Sequence, residues 1–223
     1  MKLIWKQIPE QCQNFNELLL QVAVYDLHTK TERCIIILSE DPVPFFDQMA
    51  HLTKFCEKHK LPLPLIVTRD FIKYSLDSYP LEFINICSDY INVFDREDVL
   101  KNLEYDVRDI RLQMEREFKS KWLHTRLSIL ENQRHPKAIY EVLHRSLDAI
   151  LPILKGLFFL SNNLPIPKLP EEIFGRANEM TDFDITILKT MDQVSIKELT
   201  PQMILEYLTV LEKLTNLMEL WQL

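Results

Sequence analysis

Hydrophobic periodicity changes once along this chain, at about residue 103, and the change restricts the fold to two dissimilar parts. Before it, short apolar runs alternate with stretches of helical spacing. Leu18 to Leu27 (LLLQVAVYDL) and Arg33 to Ser39 (RCIIILS) have strand length and flank the polar stretch HTKTE, which predicts an antiparallel hairpin. DPVPFFDQMAHLTKFCEKHK opens with prolines and carries Phe45, Met49, Leu52 and Cys56 at helical spacing. LPLPLIVT (61–68) predicts a third strand, whose early prolines favour an edge or a strand start. A short helical piece around DFIKYSLDS comes next. DSYPLEFINI (77–86) then predicts a fourth strand, because Leu81, Phe83, Ile84 and Ile86 have β-branched or aromatic character or bulk. Glu82 in such a strand must sit at an edge, find a partner or serve chemistry.

After the change, Val107, Ile110, Met114, Phe118, Leu123, Leu127 and Leu130 recur every three to five residues and mark a long amphipathic helix ending near ENQRHP. Pro136 to Leu160 predicts a second helix whose apolar last third, with Leu154 and Leu157, forms core. SNNLPIPKLPE (161–171) reads as a proline-rich connection. Asp182 to Met191 predicts a third helix. Thr200-Pro201 supplies an N-cap and first turn for a fourth, carrying Ile204, Leu208, Leu211, Leu214 and Leu217 or Met218. The expectation is an α+β chain: a small mixed sheet with flanking helices over residues 1–102, followed by an all-α four-helix bundle over 103–223.

The formal net charge of −7 argues against general nucleic-acid binding, which draws on Lys and Arg to neutralise phosphates. The most apolar window, Ile150 to Leu160, is interrupted by Pro152 and Lys155 and falls short of the roughly 20 residues that span a bilayer. No membrane role is expected. MKLIWKQIPEQCQ lacks the pattern of a signal peptide, which makes the cytoplasm the expected location. Cys12, Cys34, Cys56 and Cys87 form no C-x-x-C pair and read as reduced, mostly buried thiols. The six histidines form no ligand pattern, so neither a metal site nor Cys/His catalysis is expected.

The order of hairpin, helix and strand, followed by "SLDSYPLEFINI", the acidic turn "DREDVL" and "IRLQMEREFKSKWLHTRLSIL", resembles bacterial proteins of the DNA polymerase β nucleotidyltransferase superfamily that carry a C-terminal helical bundle. Members of that family have similar S-L-D-x-F-P-x-E-F-L-D-I, G-E-D-x-L and R-L-Q-x-E-R-E-L segments. The likeness covers roughly residues 15 to 220, and its specific part is 75 to 130. It implies nucleotidyl transfer with two divalent ions such as Mg²⁺, held by carboxylates from neighbouring strands. In the family a Gly-Ser turn cradles the triphosphate, an Asp-x-Asp pair stands on the next strand, and a third acid follows. Glu82, or Asn85 where relatives often have Asp, takes the place of that third acid.

The other parts of the motif are missing. No glycine occurs between Met1 and Lys155, so no turn there brings bare backbone amides to a phosphate in the usual way. Asp26-Leu27 stands in the place of Gly-Ser, and Arg33, Cys34, Ile35, Ile36 and Ile37 stand where Asp-x-Asp belongs. Glu82 alone cannot hold two hard cations. The expectation is a catalytically inactive nucleotidyltransferase-like protein, with Glu82 vestigial, acting in binding or regulation toward a protein or a small anionic or nucleotide ligand, and able to homo-oligomerise. One rival is an active Mg²⁺-dependent enzyme in which Asp26, Asp70 and Glu82, or a partner chain, rebuild the site. Another is a structural module that recognises a protein through its helices.

Two further stretches bear on function. FGRANEMTDFDITIL (174–188) mimics the motif with Gly175 and Asp182-x-Asp184, but it lacks the serine and a preceding strand, so Thr181 or Asp182 reads as a helix N-cap with Asp184 in the first turn. From Arg108 to Arg126 the long helix holds Lys or Arg at 108, 111, 116, 119, 121 and 126 against acids at 109, 115 and 117. This reads as a solvated face with Glu115–Lys119 and Glu117–Lys121 pairs. In the functional reading, Arg116 and Arg126 face an interdomain cleft and bind an anionic ligand. The bundle also resembles helical domains linked to small toxin RNases, but no Arg is followed within five to seven residues by His, which argues against RNase activity.

Overall fold

The computed structural model describes residues 1–15, 17–29 and 31–221, and these form an α+β chain. They gather into two compact units, one of Met1–Tyr79 with Asn85–Tyr105 and the other of Pro80–Ile84 with Asp106–Leu223.

In the first unit a 3-10 turn (Leu3–Gln7) and a short helix α1 (Ile8–Gln11) precede strands β1 (Leu19–Tyr25) and β2 (Arg33–Leu38). These pair as the expected antiparallel hairpin, with Val22 opposite Ile36 and Val24 opposite Cys34. Helix α2 (Phe45–His59), strand β3 (Leu65–Thr68), helix α3 (Arg69–Ser75), helix α4 (Pro80–Ser88) and strand β4 (Tyr90–Asp95) follow. The sheet order is β3-β2-β1-β4, with β3 parallel to β2 and β4 antiparallel to β1. The hairpin is therefore central. It reads as continuous apolar sequence because every residue of β1, and Cys34 to Leu38 of β2, is buried. Pro62 and Pro64, which have no N–H for the ladder, fall just before the edge strand β3.

Residues 77–86 are not a strand. Pro80 occupies the first turn of α4, and the fourth strand is the later YINVFD. A short apolar run suits either state, since Leu81, Ile84 and the Phe83–Ile86 pair also recur at helical spacing. The proline decides it, because its fixed φ and missing N–H fit the first helical position. Glu82 is consequently an exposed first-turn acid, where the helix dipole favours negative charge.

One face of the sheet, with Val22, Val24, Cys34, Ile36 and Leu38, packs on Trp5, Ile8, Cys12 and Phe15 and on Met49, Leu52 and Cys56 of α2. Three thiols thus share one core. Burial, with Cys56 adding to it, pushes the Cys12 thiol up to about 12, and Cys34 is driven well above its ordinary value by burial and then by both neighbours. Burial also raises Cys87 to about 11. The reactive species is the thiolate. A disulfide reagent at pH 8 is therefore expected to find no fast thiol in the native protein and all four in denaturant; a native fast-reacting thiol would contradict this packing.

The second unit holds α5 (Val107–Glu131), α6 (Pro136–Leu160), α7 (Pro170–Met180), α8 (Thr186–Gln193) and α9 (Pro201–Leu220), with the first turn of α4. Helix α5 packs on both α6 and α9, and α7 and α8 close the remaining side. Ile110, Met114 and Phe118 of α5 are buried, as are Leu147, Leu154 and Leu157 of α6 and Tyr207, Leu211 and Leu214 of α9. Inside, the Thr125 and Tyr207 hydroxyls donate to Ser146 Oγ at 2.8 and 2.9 Å, tying α5 and α9 to α6 through polar groups that would be costly if unpaired. Gly156 lets α6 come close: a Cβ there would collide with the Leu81 side chain and sit 3.0 Å from Met114 Sδ.

The sequence expectation of four helices in this part is short by one, α7. Its prolines suggest a connector, yet Pro170 stands in the first turn and Ile173, Phe174 and Ala177 are buried along one stripe. The third expected helix starts later than residue 182: Asp184, not Thr181 or Asp182, accepts from the Thr186 amide at 2.8 Å and opens α8. Thr200 caps α9 as expected, accepting from Met203 N at 3.2 Å. No described helix is long and apolar enough to cross a membrane. Leu154 and Leu157 are 0% and 1% exposed, so replacing either by Ala is expected to cost about 2–5 kcal/mol through the cavity left, read by urea denaturation.

Candidate functional site

Of the residues to which the family likeness points, Asp26 stands at the end of a central strand, Ile35 to Ile37 lie inside one, and Asp70, Glu82 and Asn85 lie on helices. Asp26 closes β1 with φ 56°, the left-handed conformation that Asp tolerates better than most residues and that glycine usually supplies. Its carboxylate is taken up locally: Asn85 Nδ2 donates to Oδ1 at 3.2 Å and Arg33 Nε lies 3.6 Å from Oδ2. Close in sequence, His28 Nε2 lies 3.6 Å from the buried Asp89 carboxylate. Asn85, standing where relatives often carry Asp, thus holds the turn of β1. On β2, Ile35, Ile36 and Ile37 are each 0% exposed. Asp70 is an exposed first-turn acid of α3.

Glu82 belongs to the helical unit, and its role there is visible. Gln113 of α5, 4% exposed, donates from Nε2 to Glu82 Oε2 at 2.8 Å and accepts with Oε1 from the Leu81 amide at 2.9 Å. A side chain of α5 thereby caps a first-turn N–H of α4, which no intrahelical carbonyl can reach. Among the described residues, no group of three or more His, Cys, Asp or Glu side chains is arranged to hold a metal ion. The residues present do not fit the pair of Mg²⁺ ions that the likeness implies.

A polar cluster that the sequence reading missed lies at the opposite end of β1. Gln21, wholly buried, donates to Asp98 Oδ1 at 2.7 Å and to Asn92 Oδ1 at 2.8 Å, and accepts from the Leu100 amide at 3.2 Å. Asp98 also accepts from Tyr90 Oη at 3.0 Å and from Asn92 Nδ2 at 3.0 Å. Burial, and then the bond to Asp98, raises the Tyr90 phenol above its ordinary range. Two signals could have found this cluster. One is Gln21 as the lone amide in LLLQVAVY, and the other is the three-residue spacing of Asn92, Asp95 and Asp98. With each donor matched to an acceptor, the arrangement joins β1, β4 and the DREDVL turn and leaves little capacity for a substrate.

Arg116 and Arg126 are both exposed on α5, ten residues apart, which is about 15 Å along a helix axis. One small anion cannot bridge them. The Arg126 guanidinium lies 5.2 Å from the Trp122 ring centroid. The expected solvated pairs are present, with Lys119 to Glu115 at 2.7 Å and Lys121 to Glu117 at 3.6 Å. In the 174–188 stretch, Gly175 is inside α7 and Asp184 accepts from the Thr186 amide at the start of α8, so the motif mimic spans two helices.

No protein-family model matches this chain, and no curated protein or solved structure matches it.

Because Glu82 is exposed and Gln113 is not, Glu82→Gln is expected to change stability by less than about 0.5 kcal/mol. Gln113→Leu strands the Leu81 N–H and is expected to cost about 1–3 kcal/mol. Thermal melts of the two variants should rank them in that order, and a larger loss at Glu82 would make its carboxylate the structural one.

Proposed function

We propose that this chain is a nucleotidyltransferase-like protein without catalytic activity, and that it works by binding a partner and regulating it. The observation that carries the reading is the sealed second strand. Where the resembled family presents its metal-binding acids, Ile35, Ile36 and Ile37 are 0% exposed, so both faces of β2 are dry. Asp26, in the place of the phosphate-cradling turn, supports the same reading, since its carboxylate already serves Asn85 and Arg33.

The rival, an active enzyme built on Asp26, Asp70 and Glu82, makes a distinct thermodynamic demand. It must bind a nucleoside triphosphate with its metal, and a ligand at a hundred times its dissociation constant raises stability by about 2.7 kcal/mol. Melting the protein with ATP and Mg²⁺, with ATP and chelator, and alone is expected to give no metal-dependent rise. A rise that needs Mg²⁺ and disappears in Glu82→Gln would establish the rival. A rise that ignores chelator and disappears in Arg126→Ala would assign a plain anion site to α5.

A further inference from the structure

Helix α5 has an outer face that its own bundle leaves uncovered. Ile110, Met114, Phe118 and Thr125 point to α6 and α9, while Leu112, Leu123, Leu127 and Leu130 lie on the opposite side and are 46%, 55%, 49% and 54% exposed. The last three follow i, i+4, i+7 spacing, the pattern by which one helix seats against another. Arg116 falls within the same stripe. Arg108 and Arg126 flank it, and Arg134 lies just past its end. None of these four arginines has a carboxylate partner among the described residues. Two of the four acids on this helix are occupied, Glu115 by Arg111 and Lys119 and Glu117 by Lys121, which leaves Asp109 and Glu131 beside the stripe.

We infer that the outer face of α5 docks an acidic amphipathic helix of a partner protein, with the leucines receiving its apolar stripe and the arginines its carboxylates. Charge selects this occupant over two others. Antiparallel pairing of α5 with a second copy, in the register that sets Leu112 opposite Leu130 of that copy, would also set Arg116 opposite Arg126. Like charges so placed disfavour the pairing. An anionic lipid surface would attract the arginines yet repel a chain of net charge −7, and Arg116 would have to enter the apolar layer between leucines. A helix that offers leucines and glutamates satisfies both halves of the stripe. The inference deepens the binding reading and takes its biological sense from it, although its test is separate.

The test uses the whole chain and two fluorescent helical peptides of about three heptads. Both carry leucines at i, i+4, i+7 repeats, one with glutamate at the remaining positions and the other with lysine. Anisotropy titration is expected to show the glutamate peptide binding at least tenfold more tightly than the lysine peptide, and weakening as salt rises. Leu127→Glu is expected to lower that affinity at least tenfold, and Arg126→Glu to narrow the preference between the peptides. Both positions are exposed, and unchanged melting of each variant shows that the fold is kept. Failure of the glutamate peptide to bind, equal binding of both peptides, or binding indifferent to Leu127→Glu overturns the inference. So does a concentration-dependent dimer abolished by Leu127→Glu, which makes the occupant a second copy, or capture on phosphatidylserine vesicles but not neutral ones, which makes it a membrane. Loss of peptide binding leaves the inactive-scaffold reading intact, whereas a Mg²⁺-dependent nucleotide shift removes that reading and leaves the peptide result standing.

Discussion

The dryness of the central hairpin is the constraint from which the α/β unit follows. With β1 and β2 buried on both faces, a side chain there must be apolar or find its partners within the protein. Gln21 is the one amide in β1, and around it are gathered Asn92, Tyr90, Asp98 and the Leu100 amide. The acidic turn after β4 thereby acquires a structural reason. Its Asp98 accepts from an amide of β1 and from a phenol and an amide of β4, so one carboxylate of the turn holds both strands.

The same economy explains how Glu82 came to look like a strand acid. Read alone, LEFINI offers buried bulk and one charge, and neither period nor composition separates a short helix fragment from a strand. What separates them lies elsewhere in the chain: Gln113, about thirty residues on, places its carbonyl oxygen on the Leu81 amide and its amide on Glu82. Legible features were those carried by local signals. The HTKTE hairpin, the helix over Val107–Glu131, the start of α6 at Pro136 and the Thr200-Pro201 cap were all readable. Features decided by distant partners were not, including the state of residues 80–88, the role of Gln21, and α7, whose prolines mask a buried stripe of Ile173, Phe174 and Ala177.

The three core cysteines show the other side of this limit. Scattered at positions 12, 34 and 56, they carry no sequence signal of proximity, yet one follows α1, one lies on β2 and one on α2, and the core brings them together. Burial disfavours the ionisation of all three, and neighbouring thiols add to it at Cys12 and Cys34. Convergence of like groups in a dry core makes them small apolar residues, whereas the same convergence at a wet surface would make a ligand set.

Carboxylates obey a related rule. Acids that share a metal must be held together against mutual repulsion, a cost that a fold sustains when the ion returns it. In this chain they are dispersed among separate donors. Burial alone would raise the Glu32 carboxyl, but the Lys2 amide, the terminal ammonium and the Trp5 indole bring it below its usual range. Asp106 accepts from the Arg108 amide and Asp184 from the Thr186 amide, each at a helix start, and Glu198 accepts from Ser195. Arginines show the converse arrangement, since Arg108, Arg116 and Arg126 stand along the outer face of α5 without a carboxylate among the described residues. A surface on which uncommitted arginines outnumber uncommitted acids is biased toward an acidic partner, and the exposed leucines between those arginines give that partner something to bury.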